Sequence, residues 1–373
     1  MPRPRSAPPQ LLAACALALA ACSPAPAPAS DPGAAAAPAG TAPAATSAAS
    51  AAASTSPDEL RALLSVLAAD SMEGRRTATP GSARAARFIA AQLQRIGIRP
   101  AGDSAYFQRV PMALVPRPNG SSGYRLLNAP SDADTVPAAR RADDVNVVGL
   151  LPGSDPALRD EYVVVGAHFD HIGIGRPVNG DSINNGADDD GSGTVAVLEI
   201  ARALAKSPPR RSVVFLLTTG EEVGFTGIRW YVRNPRFPLE RTVADLQIEM
   251  VGRPDSLAGG PGRAWLTGYD RSTMGEMLRA AGNPIVPDPR PAQNFFERSD
   301  NVVFAWKGVP AHTLSSFGLH PDYHTVDDEV ERVDFQHMAR VVDAAVQAVR
   351  MLADGPAPQW KPGGRPTPPP SFQ

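Results

Sequence analysis

His168 closes the run YVVVGAH, Asp170 follows two residues later, and NNGADDDGSG over 184–193 supplies three consecutive aspartates. Further on, Gly220-Glu221-Glu222-Val223-Gly224 sets two carboxylates side by side, IEMVG carries Glu249, and HPDYHTVDDE contains His320 and His324. Oxygen and imidazole donors without a thiolate among them suit hydrolytic zinc. A carboxylate beside a metal-binding imidazole can accept its other N–H and fix tautomer and orientation, the part open to Asp170 beside His168. Two zinc ions about 3.5–4 Å apart can share a carboxylate and a hydroxide in such a site.

Each of these residues also has a plainer reading. A histidine at a strand end is often structural, and Glu-Glu between glycines reads as a surface turn. Their company favours chemistry. Two adjacent carboxylates after a core strand are costly unless a cation holds them or a proton is shared. Glu249, inside an apolar run, likewise needs a partner. Asp188-x-Asp190-x-Ser192-Gly193, with Glu199 beyond, also has the spacing of an EF-hand calcium loop. That loop requires a helix before it, and Gly173, Gly175, Pro177, Gly180 and Gly186 exclude one. The calcium spacing is therefore a coincidence of the string, and Glu199 is an ordinary helix residue.

The elements that position these residues alternate. Ser56-Pro57-Asp58-Glu59 starts a helix, with Ser as N-cap and Glu at N3. A second helix covers 82–96 and stops at Gly97. Residues 107–143 read as short strands and turns. Strands are expected at 145–151, 162–168, 212–219, 245–251, 263–268 and 309–314, with helices at 194–205 and 334–353. SVVFLLTT at 212–219 is the near-continuous apolar run of a strand buried on both faces. This rhythm predicts an α/β fold with a mostly parallel mixed sheet sandwiched between helices. The candidate residues fall at ends of successive strands, where open α/β sheets gather their ligands.

The ordered set GAHFDHIG, NNGADDDGSG, TTGEEVGFTG, IEMVG and YHTVDDE resembles the di-zinc peptidases of clan MH, of the aminopeptidase Y and bacterial leucyl aminopeptidase type. Glutamate carboxypeptidase II and the glutaminyl cyclases are relatives of that group. The likeness covers roughly 144–352, and MEGRRTATPG at 72–81 is similar to the lead-in of bacterial members. It implies the zinc-exopeptidase (phosphorylase/hydrolase-like) fold and two zinc ions per chain. His168 would bind one ion, Asp188 would bridge both, Glu222 would bind the other, and Glu249 and His324 would complete the set. Glu249 stands where the family usually has Asp, and Asn301 stands where many members have His. Asp189 and Asp190 would be supporting or helix N-terminal charges. Glu221 would be the general base and acid for a metal-bridging hydroxide, with Tyr323 helping to hold the oxyanion.

The activity implied is hydrolysis of N-terminal residues from peptides. Carboxypeptidase or glutaminyl cyclase activity is the alternative on the same fold, with Arg253 and Arg298 open to a terminal carboxylate. A non-catalytic binding ectodomain is a third reading, disfavoured by retention of the whole ligand set.

The chain has 373 residues, and 36 basic against 38 acidic side chains exclude a strong electrostatic pull toward nucleic acid or an anionic membrane. Residues 1–22 read as a signal peptide ending in Leu19-Ala20-Ala21-Cys22, similar to a bacterial lipobox that would lipidate Cys22. Removal of Cys15 with that peptide would leave no internal disulfide. Residues 23–56 read as a disordered Ala/Pro/Ser linker and 354–373 as a Pro-rich disordered tail. Between them, 57–353 is expected to form one domain: a lead-in over 57–143 and a catalytic core over 144–353. The expected location is the periplasmic face of a bacterial outer membrane, reached only through the lipid anchor.

Overall fold

The computed structural model describes residues 54–118 and 121–370, so the signal peptide, Cys22 and most of the linker lie outside the described residues. Helix α1 (Pro57–Leu67) is capped by Ser56, which accepts from the Glu59 N–H, and α2 (Pro80–Ile96) by Thr79, which accepts from the Ser82 N–H. Both start with Pro at the first turn, where its missing N–H is not needed. Gly97, at φ 90°, ends α2 in the left-handed conformation that a side chain would disfavour.

Two short strands, β1 (Arg99–Pro100) and β2 (Phe107–Val110), precede the hairpin β3 (Met112–Pro116) and β4 (Ser122–Leu126). The central sheet then builds from β5 (Asp144–Leu151) and β6 (Tyr162–His168). A second hairpin, β7 (Gly173–Val178) and β8 (Asp181–Asn184), leads through the aspartate loop into α3 (Gly193–Ala205). Next come β9 (Ser212–Thr218), α4 (Thr226–Arg233), β10 (Thr242–Glu249), β11 (Trp265–Leu266) and α5 (Met274–Ala280). The chain closes with β12 (Val286–Pro287), α6 (Asn301–Lys307), β13 (Ala311–Ser315) and α7 (Phe335–Asp354).

The sheet order is β1-β5-β9-β6-β10-β13-β11-β12, with β2 also pairing β5. Strands β9, β6, β10 and β13 are mutually parallel, while β5 and β11 run antiparallel to their inner neighbours. Side-chain alternation sorts each central strand between two cores. Val163 and Val165 of β6, and Val213, Phe215 and Leu217 of β9, face α1, α2, α3 and α7. Val164, Val214 and Leu216 face α4 and α6. Full burial contributes roughly 1.5–3 kcal/mol for each such side chain, so the sheet is fixed from both sides.

The tail departs from expectation. Beyond α7 the chain crosses the face of the domain: the Trp360 indole N–H donates to the Gly308 carbonyl, Arg365 to the Trp306 carbonyl, and Trp360 pairs with Ser272 as an isolated bridge. Proline content alone suggested disorder, but Trp360 supplies an apolar anchor against Phe296 and His312. At the other end Thr55, assigned to the linker, is tied to Asp343 through its N–H and hydroxyl.

Candidate metal centre

The C-terminal ends of the parallel strands lie side by side, with His168 in register with Thr218 and Glu249 with Ser315. His168 therefore closes β6, Glu221 and Glu222 follow β9 after Thr219 and one glycine, Glu249 closes β10, and the segment after β13 carries Tyr323 and His324. That glycine, Gly220, has φ 74°, and a Cβ there would lie 1.9 Å from the Thr226 hydroxyl oxygen. Gly186 is under the same constraint: its Cβ would meet the Asp189 carbonyl oxygen at 2.3 Å and the His171 ring at 2.5 Å. His324 itself sits in the left-handed region at φ 57°, the kind of backbone strain that collects at functional sites.

His171, Asp189, Glu222 and His324 converge: one ligand atom from each lies within 4.8 Å of the others. His324 Nε2 is 3.0 Å from both Asp189 Oδ2 and Glu222 Oε1, and His171 Nδ1 is 3.2 Å from Glu222 Oε1. The second oxygen of Asp189 lies 3.3 Å from His168 Nε2. One carboxylate thus spans two groups of imidazoles. Glu221, Glu249, Tyr323 and the apolar side chains Met250, Trp265, Phe295 and Phe317 line the adjoining cleft of about 60 Å³.

These atoms are close without being hydrogen-bonded. Asp189 Oδ2, Glu222 Oε1, Glu249 Oε2, His324 Nε2 and both ring nitrogens of His171 are buried and have no hydrogen-bond partner. Leaving a buried polar atom unsatisfied costs about 1–3 kcal/mol, so a set of them on one point demands a ligand. One donor atom each from His171, Asp189, Glu222 and His324 faces a common space, where a cation fits. Nitrogen and carboxylate donors without sulfur match zinc.

The field in the pocket has the same sign. Burial opposes protonation of His324, but contact with the Asp189 and Glu222 carboxylates pushes it up to about 10. The two adjacent glutamates are driven apart. Burial, then crowding by Glu249 and Glu222, pushes Glu221 well above the usual carboxylate range despite the attraction of His168. Burial and Asp189 also raise Glu222, but His171 and His324 outweigh them and hold it low. Neighbouring carboxyls with separated affinities for a proton are suited to different roles.

The structure reverses the parts expected of the first two aspartates. Asp188 faces away from the cluster: Oδ1 accepts from the Gly252 N–H at 2.7 Å and the Ser192 hydroxyl at 3.1 Å, and Oδ2 lies 3.0 Å from His320 Nε2. Its lone pairs are engaged, so Asp189 and not Asp188 is the spanning carboxylate. Asp328 holds the turn, accepting from both the Asp188 and Asp189 N–H groups. Asp190 caps the start of α3 through the Gly193 N–H. Asp170 is also repositioned: its backbone carbonyl lies 3.1 Å from His168 Nδ1, while its carboxylate accepts from the Glu221 N–H and the Thr77 hydroxyl. With Nδ1–H donated to that carbonyl, His168 turns the Nε2 lone pair toward Asp189.

The other candidates are placed as follows. Tyr323 stacks on His324 with centroids 3.9 Å apart, its phenol pushed up by burial and then by the surrounding carboxylates. Arg253 is held by Asp322, and Arg298 lies over the Phe295 ring at the mouth of the cleft. Asn301 joins the Phe296 carbonyl to the Thr313 hydroxyl, a structural link.

Sequence reasoning missed His171, although HFDH sets it three residues after His168, and it missed Arg75. Arg75 is fully buried and donates to the carbonyls of Leu67, Phe169, Asn185 and Gly186. One guanidinium thereby fixes both roots of the β7–β8 hairpin, next to His171 on one side and the aspartate loop on the other.

Residues 146–349, more than half of the chain, match a family described as Peptidase family M28. A probable leucine aminopeptidase 2 of Aspergillus fumigatus is 29% identical over 174 residues, 45% of this chain and 32% of that protein. The chain thus spans about a third of that curated relative's length. Among solved structures, BSAP, a zinc aminopeptidase from Bacillus subtilis, superposes with TM-score 0.59 at 14% identity, covering 81% of this chain and 96% of that one. Porphyromonas gingivalis glutaminyl cyclase superposes with TM-score 0.55 at 16% identity over 79% and 98%. At these identities the likeness is one of fold.

Proposed function

Because the chain belongs to peptidase family M28, we propose that it is a di-zinc aminopeptidase that removes N-terminal residues from peptides. The observation that carries this reading is the set of buried, unpartnered donor atoms on His171, Asp189, Glu222, Glu249 and His324. His168, Asp189 and Glu249 would hold one zinc. Asp189, Glu222 and His324, joined by His171, would hold the other. Zinc bound there supplies Lewis acidity toward a carbonyl and lowers the pKa of water toward neutrality.

The chain's own groups do the rest. Glu221 lies in the cleft with a raised proton affinity, fitting it to take a proton from water and return it to a leaving amine. Its backbone is steadied by the Asp170 carboxylate. The Tyr323 phenol, kept protonated by burial and the surrounding carboxylates, would donate to an oxyanion. Met250, Trp265, Phe295 and Phe317 give the cleft an apolar wall for one terminal side chain. We further propose export with lipidation at Cys22; among the described residues no helix is long and apolar enough to cross a membrane.

The test has two arms. Zinc analysis of the purified protein is expected to give two ions per chain. A panel of free and N-blocked aminoacyl amides should show hydrolysis of the free series only. Equal rates on blocked substrates would refute the aminopeptidase reading in favour of another amidase activity. Cyclisation of N-terminal glutaminyl peptides without hydrolysis would mark a glutaminyl cyclase.

A further inference from the structure

A second cleft is lined in part by the residues that follow Glu222. It has a volume of about 370 Å³ and is lined by Arg125 on β4, by Arg229 and Arg233 on α4, by Tyr124 and Asn128, and by Val223-Gly224. The spacing of Arg229 and Arg233 puts them on the same face of their helix, one turn apart. Among the described residues no carboxylate pairs with any of the three guanidiniums. Arg229 is half-buried, and its Nε is fully buried with no hydrogen-bond partner. Burial, then the charge of Arg233, lowers the proton affinity of Arg229. A chain of net charge −2 does not crowd three arginines into one cleft through general basicity. An unpartnered buried donor beside two like charges is what an anion would satisfy.

We propose that this cleft is an anion-binding subsite that takes the C-terminal carboxylate of a short peptide substrate, beyond the scissile bond. This assignment to substrate rests on the aminopeptidase reading above. Two features tie the cleft to the site. Val223, which lines it, directly follows Glu222, which lines the first cleft, so adjacent residues of one loop contribute to both. Tyr124 also reaches the site by contacts: its hydroxyl donates to the Thr77 carbonyl, the Thr77 hydroxyl to Asp170, and Asp170 accepts from the Glu221 N–H. Peptides extend by about 3.3–3.6 Å per residue, so the subsite selects for substrate length as well as charge.

The test uses the full-length enzyme and peptides of graded length with a common N-terminal residue, ending in a free carboxylate or an amide. The readout is the ratio of kcat/KM for the carboxylate over the amide. The wild-type ratio should rise to about tenfold at one favoured length, the size expected of one charge-assisted contact. In the Arg229→Gln/Arg233→Gln variant the ratio should fall to near unity. Where that variant folds poorly, Arg125→Gln/Arg233→Gln, which alters only exposed side chains, reads the same ratio. A ratio near unity in the wild type, or one unchanged by the substitutions, overturns the substrate assignment. Inorganic phosphate supplies an independent probe: it should raise the Tm of the wild type more than that of the variant, the difference cancelling any contribution of the metal centre. Phosphate stabilisation lost in the variant without any peptide preference also overturns the assignment to substrate. Failure of the wild type to hydrolyse either peptide series counts against the aminopeptidase reading, and the phosphate difference then decides by itself whether the subsite exists.

Discussion

Asp188 and Asp189 are neighbours with the same side chain, and each stands at the centre of a polar pocket built from carboxylate and imidazole. Around Asp188 the donors and acceptors close on one another: Ser192, the Gly252 N–H and His320 occupy the carboxylate, Arg253 reaches the other side of His320, and Asp322 holds Arg253. His337, nearby, accepts from the Gly262 N–H and meets the Ser316 hydroxyl. Around Asp189 the same residue types approach as closely and remain unpartnered. Composition does not separate the two pockets; satisfaction does. A closed network is scaffolding, and an open one is waiting for a ligand.

The sharpest way to break this comparison is to exchange the roles. Asp189→Ala should abolish measurable turnover and bring bound zinc below two ions per chain by elemental analysis. Asp188→Asn should keep both ions and lose only stability, about 1–3 kcal/mol in chemical denaturation. Loss of zinc from the second variant but not the first would show the two pockets to be misassigned.

Glu221→Gln should lower kcat by about 10²–10⁴-fold while zinc content stays at the wild-type value, because Glu221 is placed to move a proton and not to hold metal. Undiminished turnover would remove it from the mechanism.

The buried neutral histidines outside the open pocket should reveal themselves on acidification. His312, between the Thr267 carbonyl and the Ser272 hydroxyl, and His337 are each held down to about 4 by burial. The unfolded chain takes up these protons near the ordinary value of about 6.5, while the folded chain refuses them until pH 4 is approached. Their contribution is therefore complete above about pH 6.5 and is lost as the pH falls toward 4, on the order of 2 kcal/mol for each at pH 5. Denaturation midpoints measured from pH 7 to 4.5 should fall accordingly, and less steeply in His312→Gln.

The smallest effect concerns the link between pockets and frame. Arg75→Lys keeps the charge but loses the fork that reaches four carbonyls. It should weaken zinc binding by about 10–100-fold, the cost of disturbing groups that orient metal ligands. Competition with a chromophoric chelator reads this apart from turnover.

Much of the frame was legible in the chain. The two-sided burial of β9 and the capped start of α1 follow from apolar periodicity and from Ser56, whereas α2 begins at Pro80 under a Thr79 cap, ahead of the expected start at Ser82. The alternation of strand and helix also located the edge on which the ligand-type residues lie. What escaped was orientation within short irregular segments. Three consecutive aspartates present the same side chain, and only the turn held by Asp328 decides which one faces the imidazoles. Arg75 and Arg76 are likewise indistinguishable as letters, yet one is fully buried and the other exposed. The proline-rich tail was misread because a single tryptophan can anchor a segment whose average composition says otherwise.

The β7–β8 hairpin is inserted between His171 and Asp189, with Ile174 and Val178 turned outward at 57% and 50% exposure. Since Arg75 fixes both of its roots from below, the hairpin behaves as an appendage plugged into a socket. Its length and sequence are free to diverge, or to be replaced by design, while the spacing of the two ligands beneath stays constant. Variation in the hairpin is thereby uncoupled from the geometry of the ligands at its roots.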